Sequence, residues 1–202
     1  AFRQLESSIA PEIRRYYQTR DPLSGKLIPV LYFFWVKVVA TPDGETVPLL
    51  SRYVFSQDAY PKKKPKAQIV CRHCCGVIED RYDATDLKCP HCLRCFNPQE
   101  GPASGQYVTT KAGNRYRIKD LLPADGAPLP HRLYAMLALR PDGEKAYLPV
   151  RDEDLALLAE AEARLQIEAL NQTRAIWGIP KRSPPPSQSS PAGRSPPRTG
   201  RW

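Results

Sequence analysis

All six cysteines of this chain fall between positions 71 and 95, and that confinement limits the possible folds more than any other feature. Four of them form Cys71-Arg72-His73-Cys74, then fourteen residues, then Cys89-Pro90-His91-Cys92. A Cys-x-x-Cys unit folds into a tight knuckle whose two sulfurs face one point, and two knuckles on adjacent hairpins complete a tetrahedron. A disulfide scaffold would instead spread its cysteines to tie distant segments together. Four thiolates are soft ligands suited to Zn2+ and leave no position for water, so the expected ion is structural. Thiolate-bound zinc in small modules contributes about 10 kcal/mol or more, so residues 70–96 are expected to fold around it. The implied compartment is a reducing cytoplasm.

Cys75 precedes Gly76, as the second ligand of many knuckles does, so it is an alternative to Cys74. Cys95 reads as a packing residue or spare thiol, with ligation the alternative. His73 and His91 lie inside the knuckles, where side chains point away from the metal. They read as surface residues, with phosphate donation or replacement of a cysteine as alternatives. His131 reads as structural. No Ser/His/Asp or Cys/His arrangement can be argued from the sequence.

The flanking pattern is that of an α+β chain: β-hairpins with a zinc ribbon, flanking helices and a disordered C-terminal tail. Residues 3–17 place Leu5, Ile9, Ile13 and Tyr16 at helical spacing, with Pro11 marking a break or first turn. Residues 27–40 read as a buried strand. They turn at Pro42-Asp43-Gly44 into 45–55, forming a hairpin. Two further hairpins are expected, in 106–122 about Ala112 to Asn114, and between 131–139 and 145–150. Asp152 is the expected N-cap of a helix to about Asn171, with Leu155, Leu158, Leu165 and Leu170 marking its buried side. The domain reading is 1–60, N-terminal helix and hairpin; 61–122, zinc-ribbon region; 123–177, hairpin plus helix; and 178–202, a basic Pro/Ser/Arg-rich tail expected to be disordered. That tail reads either as a nucleic-acid arm, as a linker, or as coding sequence translated out of frame. No apolar run approaches the roughly 18 residues of a membrane span, so no membrane is expected as a partner.

The net charge of +9 is unevenly placed: +1 in residues 1–59, +7 in 60–119, −4 in 120–177 and +5 in 178–202. A basic centre around a metal module points to a polyanionic partner, DNA above all. The candidate phosphate contacts are Lys62, Lys63, Lys64, Lys66, Arg94, Arg115 and Arg117. Lysines on phosphates release counterions, whereas arginines and the nearby Tyr107 and Tyr116 can reach or stack on bases.

The order of elements resembles the zinc-ribbon-containing adenine-specific DNA methylases of prokaryotes over about residues 10–170. In that family an aromatic strand, Tyr-x-Trp-x-(Arg/Lys)-x-Val, runs into a Cys-x-x-Cys-Gly knuckle and then Pro-Leu-Leu. Here Tyr32 to Val39 runs into Pro48-Leu49-Leu50, with Ala40 and Asp43 where the knuckle cysteines would stand. Residues 96–118 resemble the family's Phe-Asn-Pro, Gly and final-knuckle segment, with Thr109 and Ala112 at the cysteine positions. Residues 132–165 resemble the stretch after the ribbon. The resemblance implies four knuckles of which this chain keeps the middle two, the outer two being lost together if they share one metal. It also implies a parent enzyme that holds S-adenosylmethionine with a Phe-x-Gly-x-Gly loop upstream and the adenine amine with Asp-Pro-Pro-Tyr downstream. Neither motif occurs here, and Asn97-Pro98-Gln99 lacks the second proline and the aromatic residue. The expectation is a fragment or truncated product, inactive alone, completed by a separate catalytic part. A freestanding zinc-ribbon adaptor that binds protein or RNA is the alternative.

Overall fold

The computed structural model describes the backbone of residues 2–176 and the side chains of residues 7–169. The expected disorder of 178–202 lies outside the described residues, as do the side chains of Leu5 and Leu170. Contacts divide the chain into units of residues 1–161 and 162–202.

The elements run α1 (Phe2–Arg14), β1 (Gln18–Arg20), β2 (Leu27–Ala40), β3 (Thr46–Pro48), β4 (Val54–Gln57), β5 (Lys66–Val70), β6 (Val77–Arg81), β7 (Leu87–Lys88), β8 (Cys95–Phe96), β9 (Ala103–Ser104), β10 (Tyr107–Thr109) and β11 (Arg115–Arg117). A 3-10 turn at Ile118–Leu121 leads to β12 (His131–Leu139), β13 (Lys145–Pro149) and α2 (Asp152–Ile176). The architecture is α+β, with every strand pairing antiparallel.

The long strand β2 organises the first sheet, which runs β1-β2-β12-β13 with β3 also on β2. Its central pairing is with β12, from His131↔Lys37 to Ala138↔Val30, with irregularities at Leu133/Ala135 and Leu137/Ala138. One face stacks aromatic rings on the ribbon: Phe34 lies 5.0 Å from Phe55 of β4, and Phe55 lies 5.4 Å edge-on from Tyr134. Offset or edge-on ring pairs of this kind add about 0.5–1.5 kcal/mol each beyond the area they bury. The Ser56 hydroxyl and Tyr147 phenol, 2.9 Å apart, tie the same two sheets.

On the opposite face, Phe33, Trp35, Leu133 and Met136 line a groove with Tyr16, Tyr17, Leu157 and Leu158. Coverage there is partial. β2 is buried toward its ends, at Ile28, Val30, Val36, Val38 and Val39, whereas Tyr32 is 65% and Trp35 42% exposed. The expected buried strand is therefore open at its aromatic middle. Leu155 and Leu165 are likewise exposed, so the leucines do not mark one buried side of α2.

The expected hairpins form, with different lengths. β12 and β13 pair from Ala135↔Pro149 to Leu139↔Lys145, and β10 and β11 from Tyr107↔Arg117 to Thr109↔Arg115. The pairing of β2 with β3 stops at Val38↔Pro48, and residues 54–57 leave for the ribbon sheet. α1 continues through Pro11, without the expected break. Proline there forgoes one helical hydrogen bond, and the helix ends within a turn, at Arg14. α2 is capped by Arg151 rather than Asp152: the Arg151 carbonyl accepts from the Asp154 and Leu155 N–H groups, while Asp154 Oδ2 accepts from the Arg151 N–H at 2.9 Å. This is the reciprocal half of a capping box, in which the third helical residue reaches back. Asp154 Oδ1 also accepts from the Thr19 hydroxyl at 2.7 Å, fixing the helix start to β1.

Candidate metal centre

The ribbon consists of two hairpins built on the same plan. Cys71 to Gly76 turns β5 into β6, and Cys89 to Arg94 turns β7 into β8. In the first turn the Cys75 N–H donates to the Cys71 carbonyl and the Cys71 N–H to the Gly76 carbonyl, both at 2.9 Å. The second repeats the pattern, Leu93 N–H to Cys89 carbonyl and Cys89 N–H to Arg94 carbonyl, again at 2.9 Å. The residue after the second cysteine of each turn is left-handed, Cys75 at φ 59° and Leu93 at φ 62°. That conformation costs a non-glycine residue roughly 1–2 kcal/mol. It also turns the Cys75 side chain away from the cluster.

The four sulfurs of Cys71, Cys74, Cys89 and Cys92 lie within 4.8 Å of one another. Across the knuckles Cys71 Sγ is 3.8 Å from Cys92 Sγ, and Cys74 Sγ is 3.7 Å from Cys89 Sγ. A disulfide needs about 2.05 Å, so these are separate thiols. A tetrahedron with about 2.3 Å from metal to sulfur has edges about 1.63 times longer, near 3.8 Å, which matches both distances. The cluster can therefore hold a metal ion. Cys71 and Cys89 are buried in the ribbon core with Tyr53, Ile69, Ile78, Leu87 and Phe96, Cys92 is half-buried, and Cys74, Cys75 and Cys95 are exposed. The clustered sulfurs include that of Cys74 and not that of Cys75.

Without a cation the four sulfurs do not all ionise. Burial pushes the Cys71 thiol up to about 12 despite the N–H groups of Cys74 and His73 aimed at it. Burial opposes ionisation of Cys89 as well, but the N–H groups of Cys92 and His91 and the neighbouring thiols outweigh it, bringing that thiol to about 7. Cys74 is raised, by burial first. Four adjacent sulfurs cannot all be thiolates unless a positive ion sits among them, and a divalent metal supplies that charge.

The two histidines lock the knuckles reciprocally. His73, of the first, packs edge-on against Phe96 beyond the second, with centroids 6.2 Å apart. His91, of the second, has Nε2 3.1 Å from the Val77 carbonyl beyond the first. A Cβ at Gly76 would lie 2.5 Å from His91 Cδ2 and 3.3 Å from Cys74 Sγ, so any larger residue there displaces the His91 ring. Both rings are exposed, as expected, and the cross-packing is a further role.

After the second knuckle, residues 97–101 strap the ribbon to the chain that enters it. The Tyr53 N–H donates to the Pro98 carbonyl at 2.7 Å, the Gly101 N–H to the Ser51 carbonyl at 3.0 Å and the Ala103 N–H to the Leu50 carbonyl at 3.0 Å. The Gln99 amide donates to the Tyr82 and Ala84 carbonyls. Gly101 passes so close that a Cβ would sit 2.1 Å from Leu50 O. Sequence reasoning missed Gln99 and Gly101, for which the Asn97-Pro98 turn signal followed by glycine was the available clue.

The outer turns, 40–44 and 109–114, lie side by side. Asn114 Nδ2 donates to Asp43 Oδ2 at 3.1 Å, and the Lys111 N–H to Glu45 Oε2 at 2.8 Å. Thr41 and Thr110 are buried at matching places, each with its N–H bonded at 2.9 Å across its own turn, to Glu45 and Asn114. The Thr41 hydroxyl and the Asn114 amide hold the Asp43 carboxyl below the usual range. Where the resemblance implies a shared second metal, this chain has a hydrogen-bonded polar tie.

The candidate phosphate contacts fall into separate groups. Lys64 is 3.3 Å from Asp58, and Lys66 2.7 Å from Glu79, so carboxylates already neutralise both. Lys62 and Lys63 are exposed on the same loop. This loop precedes β5 and the first knuckle follows it, so the five residues of β5 separate the two by roughly 17 Å. Arg94 lies at the knuckle end. Arg115 stacks over Tyr107 at 4.2 Å, and Arg117 donates to Gln106 at 3.2 Å, on the β10–β11 hairpin. No helix is long and apolar enough to cross a membrane among the described residues.

Comparison of the chain with protein-family models, with curated proteins and with solved structures returns no match. The functional reading accordingly rests on the geometry and on the sequence resemblance.

Proposed function

We propose that the chain is the zinc-ribbon segment of a DNA adenine methyltransferase, holding one structural Zn2+ on Cys71, Cys74, Cys89 and Cys92 and contacting DNA through its basic surface. The observation that carries the metal reading is the match of two independent sulfur separations, 3.8 and 3.7 Å, to the edge of a zinc–thiolate tetrahedron. Four protein ligands complete zinc's usual coordination, so the ion's part is to fix the two hairpins. The DNA reading is supported by the charge of +7 between residues 60 and 119. The methyltransferase parent is supported by the sequence resemblance. Cofactor and catalytic groups belong to parts of such an enzyme outside this chain, and no turnover is expected from the chain itself.

Binding of a labelled DNA duplex to the zinc-loaded chain tests the nucleic-acid part. Affinity that falls steeply and linearly in log–log form with salt is the expected result, because each neutralised phosphate releases counterions. Salt-insensitive binding to a protein, with no affinity for duplex, would instead favour a freestanding adaptor. The aromatic groove of Tyr17, Phe33 and Trp35, with Tyr17 and Trp35 exposed, is the observation on that side.

A further inference from the structure

A solvent-open hollow of about 300 Å³ is lined by Arg72, His73, Arg94 and Lys111. The four residues come from three separate segments: Arg72 and His73 from the first knuckle, Arg94 from the second, and Lys111 from the β10–β11 turn. Among the described residues, Arg72, Arg94 and Lys111 make no ion pair. Glu45 accepts from the Lys111 backbone N–H and lines the adjoining groove, together with a further cation, Arg132. Three cations that make no ion pair around one concavity are mutually repulsive. The group that relieves the repulsion is a compact oxyanion, which arginine forks grip in two-point fashion.

We infer that this hollow binds one phosphodiester group of a nucleic-acid backbone, and that the metal centre assembles it by fixing Arg72 and Arg94 on the two turns it joins. The inference rests on the nucleic-acid reading above and moves the principal contact from the lysine loop to the knuckle end. The lysine loop has two of its four cations committed to Asp58 and Glu79. Arg94 belonged to the sequence-derived set; Arg72 and Lys111 join it because the fold brings their turns together. A free phosphate offers the same chemistry, and the test separates the two sources.

The experiment measures anisotropy of a labelled duplex against the full zinc-loaded chain over a range of salt. It uses wild type, the double variant Arg72→Ala/Arg94→Ala, Lys111→Ala, and Lys26→Ala as a charge-loss control outside the hollow. Metal content is read for each, and Lys111→Ala keeps the test valid if the double variant loses its metal, since Lys111 is on neither knuckle. The expected result is an affinity lower by about tenfold for the hollow variants and a salt slope shallower by about 0.9, one phosphate, with Lys26→Ala much closer to wild type. In parallel, millimolar inorganic phosphate is expected to shift the amide resonances of Arg72, Arg94 and Lys111 and to compete with the duplex. If wild type binds duplex and the hollow variants match Lys26→Ala, the inference is overturned while the nucleic-acid reading stands. If wild type does not bind duplex but phosphate shifts those amides, the hollow is a site for free anions, and the backbone assignment is overturned. If neither ligand acts, both readings fall.

Discussion

Replacing Gly101 by alanine places a methyl carbon 2.1 Å from Leu50 O, 2.5 Å from Ser51 C and 2.7 Å from Arg52 N. All three are backbone atoms, so no side-chain rotation relieves the overlap. One strand of the strap must move by about 1.3 Å to reach ordinary contact distance. The bonds at stake are Gly101 N–H to Ser51, Ala103 N–H to Leu50 and Tyr53 N–H to Pro98. At about 1 kcal/mol net for each, their loss amounts to about 3 kcal/mol, at the upper end of what overpacking usually costs. For a chain of this size that lowers the thermal midpoint by roughly 6–12 °C. Differential scanning calorimetry of the zinc-loaded variant beside wild type is the assay. A midpoint within about 2 °C of wild type would refute the claim that residues 97–101 tie the ribbon to its entry strand.

Further outcomes follow from the same geometry. Cys74→Ser is expected to lower metal retention under a competing chelator by an order of magnitude or more, whereas Cys75→Ser and Cys95→Ser retain wild-type behaviour; loss in Cys75→Ser alone would reverse the ligand assignment. Leu93→Gly should raise the thermal midpoint by relieving up to about 1 kcal/mol of left-handed strain, and Leu93→Ile should lower it, because a β-branched residue tolerates that region poorly; equal midpoints would contradict the knuckle geometry. Asp21 is buried, which alone would raise its pKa, but the Ser24 hydroxyl, the Leu23 and Ser24 N–H groups and the Arg140 guanidinium hold it below the ordinary carboxylate range. A depressed carboxyl stabilises the fold above its unfolded value, about 3.9, and that stabilisation is lost as pH falls through the folded value. Asp21→Asn is therefore expected to be less stable than wild type at neutral pH, with the gap closing below about pH 4 in denaturant titrations; a gap independent of pH would refute it.

The parts of this fold that sequence made legible are those fixed by neighbouring residues. Both knuckles, the Arg140 to Glu144 turn of the β12–β13 hairpin and the Ala112 to Asn114 turn all declare themselves within a few positions. What was not legible depends on partners far along the chain. Nothing near Tyr32 or Trp35 signals that β12, about a hundred residues later, flanks β2 while the covering of one sheet face stays partial. Leucines at Leu155 and Leu165 follow helical spacing, yet spacing alone does not say whether a surface exists for them to meet. Asp152 looked like the cap because its type is right. The capping bonds instead run between Arg151 and Asp154, and Asp154 is held by Thr19. At the candidate site the four clustered cysteines are legible from spacing, whereas the regrouping of Arg72, Arg94 and Lys111 requires the three turns in space.

The most direct test of the central claim is the metal content and sulfur coordination of the purified chain, measured by elemental analysis and zinc-edge X-ray absorption. One zinc per chain, with four sulfurs at about 2.3 Å and no oxygen or nitrogen neighbour, is the predicted result. A chain that refolds to the same structure after complete chelation, or an ion whose shell includes water or histidine, would contradict a closed structural site on Cys71, Cys74, Cys89 and Cys92.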